Sequence, residues 1–345
     1  MKKNRKLMVA SHATMSGIIS LTTVTCAQPC APFWTGLSAT NPYVDQYVLA
    51  SLDSGNGMAV FVSRQNQPAL DVVRWDGRQW SSIGTGGLTV AQAQTLAGAG
   101  LRVWDEGFGP HLYAGFDGVF ARWGPGTWTF LSWEGFANGL GSTPLLSTNV
   151  GSGTRIYGTY LYRSPAWWDG THWVAFGQTD GWVTGMACLN EPSGPRLYIF
   201  GEFNTIDGIV AHGFAKWDGQ QWSSPSPGYY VDIQDLNYYV VFDDGSGPAI
   251  YTNALITPFG GQTCDLSKWD GRQWTCLGNM MLQPGFIGRV LVVQPFDDGR
   301  GQALYIGGGF DGFAGHVSKN LIRFDGTTWE PVPLVNFPVY YSGIT

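Results

Sequence analysis

The sequence repeats one six-residue pattern, Trp-Asp-Gly-x-x-Trp, which places a turn signal between two tryptophans. Its four complete copies and two degenerate copies occupy residues 75–80, 168–173, 217–222, 269–274, 123–128 and 324–329. Twelve of the sixteen tryptophans stand at its two Trp positions: Trp34, Trp75, Trp80, Trp123, Trp128, Trp168, Trp173, Trp217, Trp222, Trp269, Trp274 and Trp329. Repetition at an interval of about 50 residues predicts a fold assembled from one structural unit.

A second motif separates successive copies. It consists of Asp or Asn, a turn that closes on glycine, two further residues, and then an aliphatic and an aromatic residue. The closing glycines are Gly57, Gly109, Gly153, Gly194, Gly247 and Gly301. Because the rest of the turn varies while this glycine does not, we predict that the backbone has a positive φ at each of these positions.

Each repeat therefore contains two hairpins, and Asp-Gly is a strong hairpin signal because both residues tolerate the left-handed conformation. In the fourth repeat we expect strands at residues 183–189, 196–200 and 213–217 and around Trp222. Units of four short strands protect their edges when they pack radially. The sequence thus predicts an all-β fold, a β-propeller of four-stranded antiparallel blades.

The number of blades is predicted from the segments that precede the first complete unit and follow the last one. The six complete units leave Trp34 as an isolated copy of the second Trp position, and one more strand is expected near residues 339–344. We therefore predict six complete blades and a partial seventh, because an unpaired inner strand would otherwise expose an edge. The alternative is a closed six-bladed ring.

These motifs resemble a family of exported bacterial kelch-like repeat proteins, mostly uncharacterised. The resemblance rests on Trp-Asp-Gly-x-x-Trp, on the stretch Asp-Asp-Gly-Ser-Gly-Pro-Ala-Ile-Tyr from Asp243 and on Tyr-Ile-Gly-Gly-Gly-Phe from Tyr305. It covers nearly all of the chain after the N-terminal segment, although the family's Gly-Gly-x-Phe between the second and third strands is well kept only in the last repeat. The resemblance implies a propeller fold and no particular activity.

The first 27 residues have the layout of a secretory signal peptide, with early basic residues, an apolar run over 7–24 and small residues at Thr25 and Ala27, before a cleavage that follows Ala27. We therefore predict a signal peptide at 1–27 and a single propeller domain at 28–345, exported to the periplasm or the cell exterior as a monomer. The net charge of −6, without a later basic stripe, disfavours a nucleic-acid binder. No later segment reaches the ~20 apolar residues of a membrane span.

Four cysteines remain after such a cleavage, and they are Cys30, Cys188, Cys264 and Cys276. Cys264 and Cys276 flank one predicted hairpin, so they are the favoured disulfide pair in an exported protein. Buried free thiols are the alternative. The histidines of the mature chain lie in different repeats without metal-binding spacing, and the sequence indicates neither a metal nor a cofactor.

The recurring tryptophans are interpreted as packing residues between neighbouring sheets, because they recur whatever the loops around them. Carbohydrate stacking is the alternative.

A basic residue precedes the first Trp position in five copies, as Arg74, Arg122, Lys216, Lys268 and Arg323. We expect it to stack on an aromatic ring or to pair with the turn aspartate. The Asp-rich turns lack the ligand spacing of a calcium loop and are interpreted as ordinary turns.

Two kinds of connection vary along the chain, those between the second and third strands and those between repeats. Variation on a rigid scaffold favours a binding role. The candidate binding residues in these connections are Asn204, Asp207, His212, Tyr229, Tyr230, Asp311, His316 and Lys319. The sequence has no nucleophile elbow and no phosphate-binding loop, so no catalytic residue is assigned. We expect a binding module for a glycan or a protein, the alternative being a polysaccharide-acting hydrolase or lyase.

Overall fold

Strands are the main secondary structure of the protein. The computed structural model describes residues 47–53, 57–64, 67–97, 99–116, 119–124, 126–132, 143–160, 163–232, 239–258, 261–284 and 288–333, which form 31 β-strands and one short helix. The predicted signal peptide, Cys30, Trp34 and the strand expected near 339–344 lie outside the described residues. The partial seventh blade and the single domain over 28–345 therefore stay predictions.

The chain divides into two units, residues 1–141 and 142–345, and each is described by itself. The first unit contains two antiparallel four-stranded sheets. Sheet 1 consists of β1 (Tyr47–Asp53), β2 (Met58–Arg64), β3 (Val72–Trp75) and β4 (Trp80–Ser82), and sheet 2 of β5 (Gly100–Asp105), β6 (Pro110–Phe116), β7 (Val119–Gly124) and β8 (Thr127–Ser132). Helix α1 (Val90–Thr95) lies between the two sheets in the sequence and begins at a capping box formed by Thr89 and Gln92.

The second unit contains four antiparallel four-stranded sheets and three small ones. Its strands in chain order are β9 (Thr143–Asn149), β10 (Thr154–Tyr160), β11 (Ser164–Trp168), β12 (Trp173–Ala175), β13 (Trp182–Glu191), β14 (Gly194–Glu202), β15 (Thr205–Ile206), β16 (Ile209–Val210), β17 (Phe214–Trp217), β18 (Trp222–Ser223), β19 (Tyr229–Asp232), β20 (Tyr239–Asp243), β21 (Pro248–Thr252), β22 (Leu255–Pro258), β23 (Leu266–Trp269), β24 (Trp274–Gly278), β25 (Met280–Met281), β26 (Val290–Asp297), β27 (Gln302–Gly308), β28 (Gly312–Phe313), β29 (His316–Val317), β30 (Leu321–Phe324) and β31 (Trp329–Pro331).

The four large sheets of this unit follow one plan. Sheet 3 is β9 to β12, sheet 4 is β13, β14, β17 and β18, sheet 5 is β20, β21, β23 and β24, and sheet 6 is β26, β27, β30 and β31. In a four-stranded antiparallel meander the first and third connections lie at one end, which we call the turn end. The second connection and the link to the next sheet lie at the other, which we call the loop end.

The turn end is built by aspartate and asparagine side chains that accept backbone hydrogen bonds. Asp243 Oδ1 accepts from the amides of Gly245 and Gly247 at 2.9 and 3.0 Å, and the same arrangement recurs at Asp105, Asn149 and Asp297. All six closing glycines have φ between 92° and 110°, which confirms the predicted positive φ. A side chain at these positions would strain the backbone.

The turn of the Trp-Asp-Gly-x-x-Trp motif differs from the sequence prediction. Its two tryptophans are direct cross-strand partners, as Trp217 and Trp222 are, and they enclose a four-residue loop. Only the glycine is left-handed, with φ of 102° at Gly219. Asp218 instead accepts hydrogen bonds from two backbone amides that follow it, at 2.8 and 2.9 Å. The aspartate therefore acts as a hydrogen-bond acceptor, not as a residue with a left-handed backbone.

Neighbouring sheets within each unit pack face to face through aromatic residues. In the second unit, Tyr198, Phe200 and Phe214 of sheet 4 form one buried cluster with Trp269 and Trp274 of sheet 5. Equivalent clusters join sheets 1 and 2, sheets 3 and 4, and sheets 5 and 6. The first strands of consecutive sheets also lie beside one another within each unit. The repeated tryptophans of sheets 2, 4, 5 and 6 thus lie at the interfaces between sheets, and they are Trp123, Trp128, Trp217, Trp222, Trp269, Trp274 and Trp329.

Three of the second-position tryptophans also hold the link that precedes their own sheet. The indole Nε1 of Trp128 donates to Gly84 O at 3.0 Å, and that of Trp222 donates to Phe176 O at 2.9 Å. In sheet 5, Trp274 Nε1 donates to Ser226 Oγ at 3.2 Å. Because each acceptor lies between the preceding sheet and the sheet of the tryptophan, these side chains fix the links as well as the interfaces. We call them the link tryptophans.

Candidate functional site

The loop end of the second unit carries short sheets that the sequence did not predict. Strands β15 and β16 form a hairpin, β19 pairs with β22, and β25 pairs with the β28–β29 hairpin. In the second and third of these, a strand from the link before a large sheet pairs with a strand from that sheet's own second connection. In sheet 4 a single bridge between Thr179 and Ile206 makes the same connection. We call these three elements the small sheets.

The predicted residues Asn204 and Asp207 belong to the first small sheet, where their polar atoms hold the link in place. Asp207 and Gly208 form the turn of the β15–β16 hairpin, with φ of 47° and 81°. The Asp207 carboxylate accepts from the amide of Gln178 at 2.9 Å. The amides of Thr205 and Asn204 donate to Asp180 Oδ1 at 2.9 and 2.8 Å, and these two bonds hold the pKa of Asp180 below its usual value.

Asp311, His316 and Lys319 lie in the second connection of sheet 6, which carries the β28–β29 hairpin of the third small sheet. The amide of Asp311 donates to Met281 O at 2.9 Å, and its carboxylate accepts from the amide of Gln283 at 3.2 Å. Asp311 therefore connects the hairpin to the link, as Asp207 does in the first small sheet. His316, in β29, and Lys319 are exposed.

The structure brings two predicted residues from different segments into contact. The rings of His212 and Tyr230 lie edge to face, with their centroids 4.7 Å apart. Tyr230 is 50% exposed, whereas the neighbouring Tyr229 packs against the core cluster between sheets 4 and 5. Tyr230 therefore presents half of its surface to solvent on the outer face of β19, and His212 supports its ring from one side.

An unusual backbone conformation positions the His212 ring. His212 has a left-handed backbone with φ of 48°, and Gly213 follows with φ of 83°. A Cβ atom at Gly213 would lie 2.7 Å from Val231 O, so only glycine fits at this close approach. The carbonyl of His212 accepts from the amide of Val231 at 3.1 Å. Left-handed non-glycine residues cost free energy and are often found at functional sites.

Four non-glycine residues in the described part of the chain have this left-handed backbone, and all four lie at the loop end of the second unit. They are Asp207, His212, Ala314 and Asn320. Asp207 and Ala314 hold the same position, the first residue of the turn, in the hairpins of sheets 4 and 6. At the loop end, non-glycine residues thus adopt the left-handed backbone that glycines adopt at the turn end.

Two hydroxyl groups complete the outer face of the β19–β22 sheet. Thr257 is the direct cross-strand partner of Tyr230, so the two side chains lie on the same face. The hydroxyls of Thr257 and Thr263 are 2.9 Å apart and hydrogen-bonded. The sequence analysis did not single out these threonines, and their only sequence signal is their position in a variable connection. We call His212, Tyr230, Thr257 and Thr263 the tyrosine patch.

The turn end is occupied by a different, repeated set of polar groups. Sheets 2, 4, 5 and 6 each place a strand-two tyrosine opposite the basic residue of strand three, with an acidic residue of the first turn beside them. The sets are Tyr113, Arg122 and Glu106; Tyr198, Lys216 and Glu191; Tyr251, Lys268 and Asp244; and Tyr305, Arg323 and Asp298. In the first three sets the basic residue pairs with the acidic residue that follows the turn Asp or Asn, whereas Arg323 pairs with Asp325 and Glu330.

The charged and polar groups of these sets interact with one another, as the pKa values of the sheet 5 set show. Burial would raise the pKa of Asp244, but hydrogen bonds from Lys268 and Ser246 outweigh it and hold that pKa well below its usual value. Burial and the neighbouring carboxylate raise the pKa of Tyr251. Lys268 Nζ lies 2.5 Å from Asp244 Oδ2, and both side chains are largely buried. Since the same set recurs in four sheets, it indicates a role in packing more than in ligand recognition.

The sulfur and metal chemistry of the described residues is limited. Cys264 and Cys276 form a disulfide with Cα atoms 5.7 Å apart, and it joins the second connection of sheet 5 to its last strand. Cys188 is a half-buried thiol whose pKa is raised by burial. Within the described part of the chain, no group of three or more His, Cys, Asp or Glu side chains is placed to hold a metal ion. The helix in that part is too short to cross a membrane.

No family model and no curated protein matches the chain. Two similar solved structures are a puromycin-hydrolyzing peptidase of Mycobacterium tuberculosis, with a TM-score of 0.35, and the extracellular domain of a proposed one-component system from B. thetaiotaomicron, with a TM-score of 0.29. Both are 13% identical to this chain, which is covered to 85% and 84%, whereas only 54% and 42% of their own lengths are covered. The chain thus spans about half the length of these structures.

Proposed function

We propose that the protein is an exported β-propeller of the kelch-like repeat type that acts as a binding module, for a glycan or a protein, through the loop end of sheets 4 to 6. The observation that carries this proposal is the set of three small sheets. Variable segments there form ordered backbone, which displays exposed apolar and aromatic side chains. These are Ile209, Val210, Tyr230, Met281, Leu282 and Val317.

The propeller assignment is supported by the way that consecutive sheets pack. Within each unit the sheets pack face to face through the repeated aromatic residues, and their first strands lie side by side. Blades of a propeller have this relation. Six complete blades and a partial seventh, a closed six-bladed ring being the alternative, and a monomeric state complete the proposal.

A polysaccharide-acting hydrolase or lyase is the other candidate, and it needs carboxylates or arginines that are available to a substrate. The densest ionic cluster of sheet 6 instead pairs its groups with one another. Arg300 lies 2.6 Å from Asp298 and 2.8 Å from Glu330, and Arg323 lies 3.4 Å from Glu330. Mutual pairing favours a structural role for these residues, so the binding module is the better supported function.

The experiment that separates the two functions measures binding and turnover on the same substrates. Purified protein is run in native gels containing soluble polysaccharides, and the same mixtures are assayed for released sugar ends. Retardation without release is expected. Release of products would replace the binding module by the enzyme.

Protein partners are tested in parallel, by cross-linking with defined surface proteins. The control for both assays is the double variant Val210→Ser with Val317→Ser, which changes two exposed side chains of the small sheets. If the loop end binds, this variant should bind more weakly with an unchanged fold. Unchanged binding would show that the hairpins of the first and third small sheets are not the surface used.

A further inference from the structure

We infer that the tyrosine patch is a subsite for one sugar ring of a neutral glycan. This inference rests on the proposed binding function and assigns a ligand class and four residues to it. His212, Tyr230, Thr257 and Thr263 come from three segments of the chain, and the small sheet β19–β22 brings them to one face.

The aromatic part of the patch offers a platform for the apolar face of a sugar ring. Tyr230 is half exposed, and its ring is held by the edge-to-face contact with His212 at 4.7 Å. Aromatic rings supply a large contact area with little loss of conformational entropy, because few torsions must be fixed. A ring that is already held in place loses less entropy on binding than a free one.

The polar part of the patch offers hydroxyl groups and an imidazole beside this platform. Thr257 is opposite Tyr230 in the two-stranded sheet, and its hydroxyl is hydrogen-bonded to Thr263. A threonine hydroxyl donates one hydrogen bond and accepts two, so the pair retains capacity for a ligand. The four patch side chains include no Asp, Glu, Lys or Arg, and their hydroxyl and imidazole groups match the hydroxyls of an uncharged sugar better than a carboxylate or a phosphate.

The backbone around the patch argues against an added peptide strand. The amide of Val231 in β19 donates to His212 O at 3.1 Å, and the amide of Cys264 donates to Ile256 O of β22 at 3.2 Å. Both outer edges of this small sheet are therefore already used. A peptide that binds by strand addition relies on free main-chain groups at such an edge. Recognition at the patch must then proceed through side chains, as sugar binding does.

The test uses the full chain and a panel of soluble neutral polysaccharides, namely a β-glucan, a galactomannan, a mannan and a xylan, with polygalacturonate as the charged counterpart. Affinity is measured by gel retardation at increasing polysaccharide concentration. Tyr230→Ala should weaken binding about tenfold, which corresponds to about 1.4 kcal/mol. Tyr230→Phe keeps the ring and should retain most of the affinity.

Two further variants separate a binding effect from a folding effect. His212→Gly keeps a residue that accepts the left-handed backbone and removes the imidazole, so a several-fold loss of affinity is expected with an unchanged melting temperature. Phe108→Ala removes an aromatic side chain that is 84% exposed at the turn end, and it should bind like the parent.

The possible results distinguish this inference from the proposed function. If the parent binds a neutral polysaccharide and both Tyr230→Ala and His212→Gly bind equally well, the patch is the wrong site while the binding function stands. If the parent binds only polygalacturonate, or only a protein, the assignment of a neutral sugar is overturned. If it releases products from the panel, the binding function itself fails.

Discussion

The two ends of the sheets use the same polar residues in different ways. At the turn end, aspartates such as Asp243 and Asp218 accept hydrogen bonds from amides two to four residues later, and glycines adopt the left-handed backbone. At the loop end, Asp207 and Asp311 bind amides 28 or 29 residues away in the sequence. The turn end is thus stabilised locally, whereas the loop end depends on contacts between distant segments.

This difference shows how a repeat protein can keep its stabilising residues at one end of each sheet and vary its surface residues at the other. Local hydrogen bonds need only a short motif, so the turn end can be copied unchanged from sheet to sheet. Contacts between distant segments depend on the particular pair, so each small sheet is built from different residues. The variable end can therefore differ in surface chemistry without disturbing the copied one.

The largest effect should come from a link tryptophan, because it serves both the sheet interface and the loop end. Trp222→Ala removes a side chain that is 5% exposed, together with its hydrogen bond to Phe176. We expect it to lower the free energy of unfolding by about 3–5 kcal/mol in denaturant titrations. The matched control is Trp182→Ala at a position that is 56% exposed, where a change within about 0.5 kcal/mol is expected. Equal effects of the two variants would contradict the distinction.

Among changes at the turn end, loss of the buried pair of Asp244 and Lys268 in sheet 5 should destabilise the protein most. Asp244→Asn leaves Lys268 without its carboxylate, and we expect a loss of about 3 kcal/mol. The folded-state pKa of Asp244 is below that of the unfolded chain, so the pair stabilises above about pH 4 and its contribution fades as the pH falls. Unfolding measured between neutral and acidic pH should therefore show a smaller acid-induced loss in the variant. A parallel loss in both proteins would argue against this pair.

The disulfide should stabilise the loop end of sheet 5. Cys264 and Cys276 are separated by 12 positions, and closing such a loop restricts the unfolded chain by about 3 kcal/mol in the entropy model. Reductant should lower the melting temperature of the parent. It should not affect a variant in which Cys264 and Cys276 are both replaced by serine. Alkylation of both thiols in the unreduced protein would refute the bridge.

The smallest effect is expected from glycine substitutions, which compare one glycine of the turn end with one glycine of the loop end. Gly247 closes the first turn of sheet 5 with φ of 110°, and Gly247→Ala should cost about 1–2 kcal/mol through backbone strain although nothing lies near its Cβ position. Gly228 lies in a link at the loop end, has equally open surroundings and has no left-handed backbone. Gly228→Ala should be close to neutral in the same unfolding assay. A comparable loss at Gly228 would show that conformation is not the cause.

The sequence predicted the parts of the fold that repeat. Strands expected at 183–189, 196–200 and 213–217 lie within or largely overlap β13, β14 and β17, and the closing glycines have the expected φ. These features are local, and the motif that encodes them is present six times. Helix α1 was not predicted, although Thr89 and Gln92 form a capping box that a search for that pattern would have found.

The candidate site was predicted only in part, for a physical reason. His212 and Tyr230 were named from the sequence, but nothing in their spacing indicates that their rings touch. That contact depends on the left-handed backbone at His212 and on the pairing of β19 with β22. Strands such as β15 and β25 are two residues long and carry no periodic pattern, so the partners of the small sheets cannot be read from hydrophobicity.

The link tryptophans lie later in the chain than the links that they hold, so they impose an order on folding. Each indole N–H finds its acceptor 44 to 48 residues earlier in the chain, close to one full repeat. A ribosome adding 5–20 residues per second needs roughly 2–10 s to cover that distance. During this interval a link has emerged while the residue that fixes it has not. We therefore expect the links before sheets 2, 4 and 5 to be secured one after another in the order in which the chain emerges from its N-terminus, each when its tryptophan arrives.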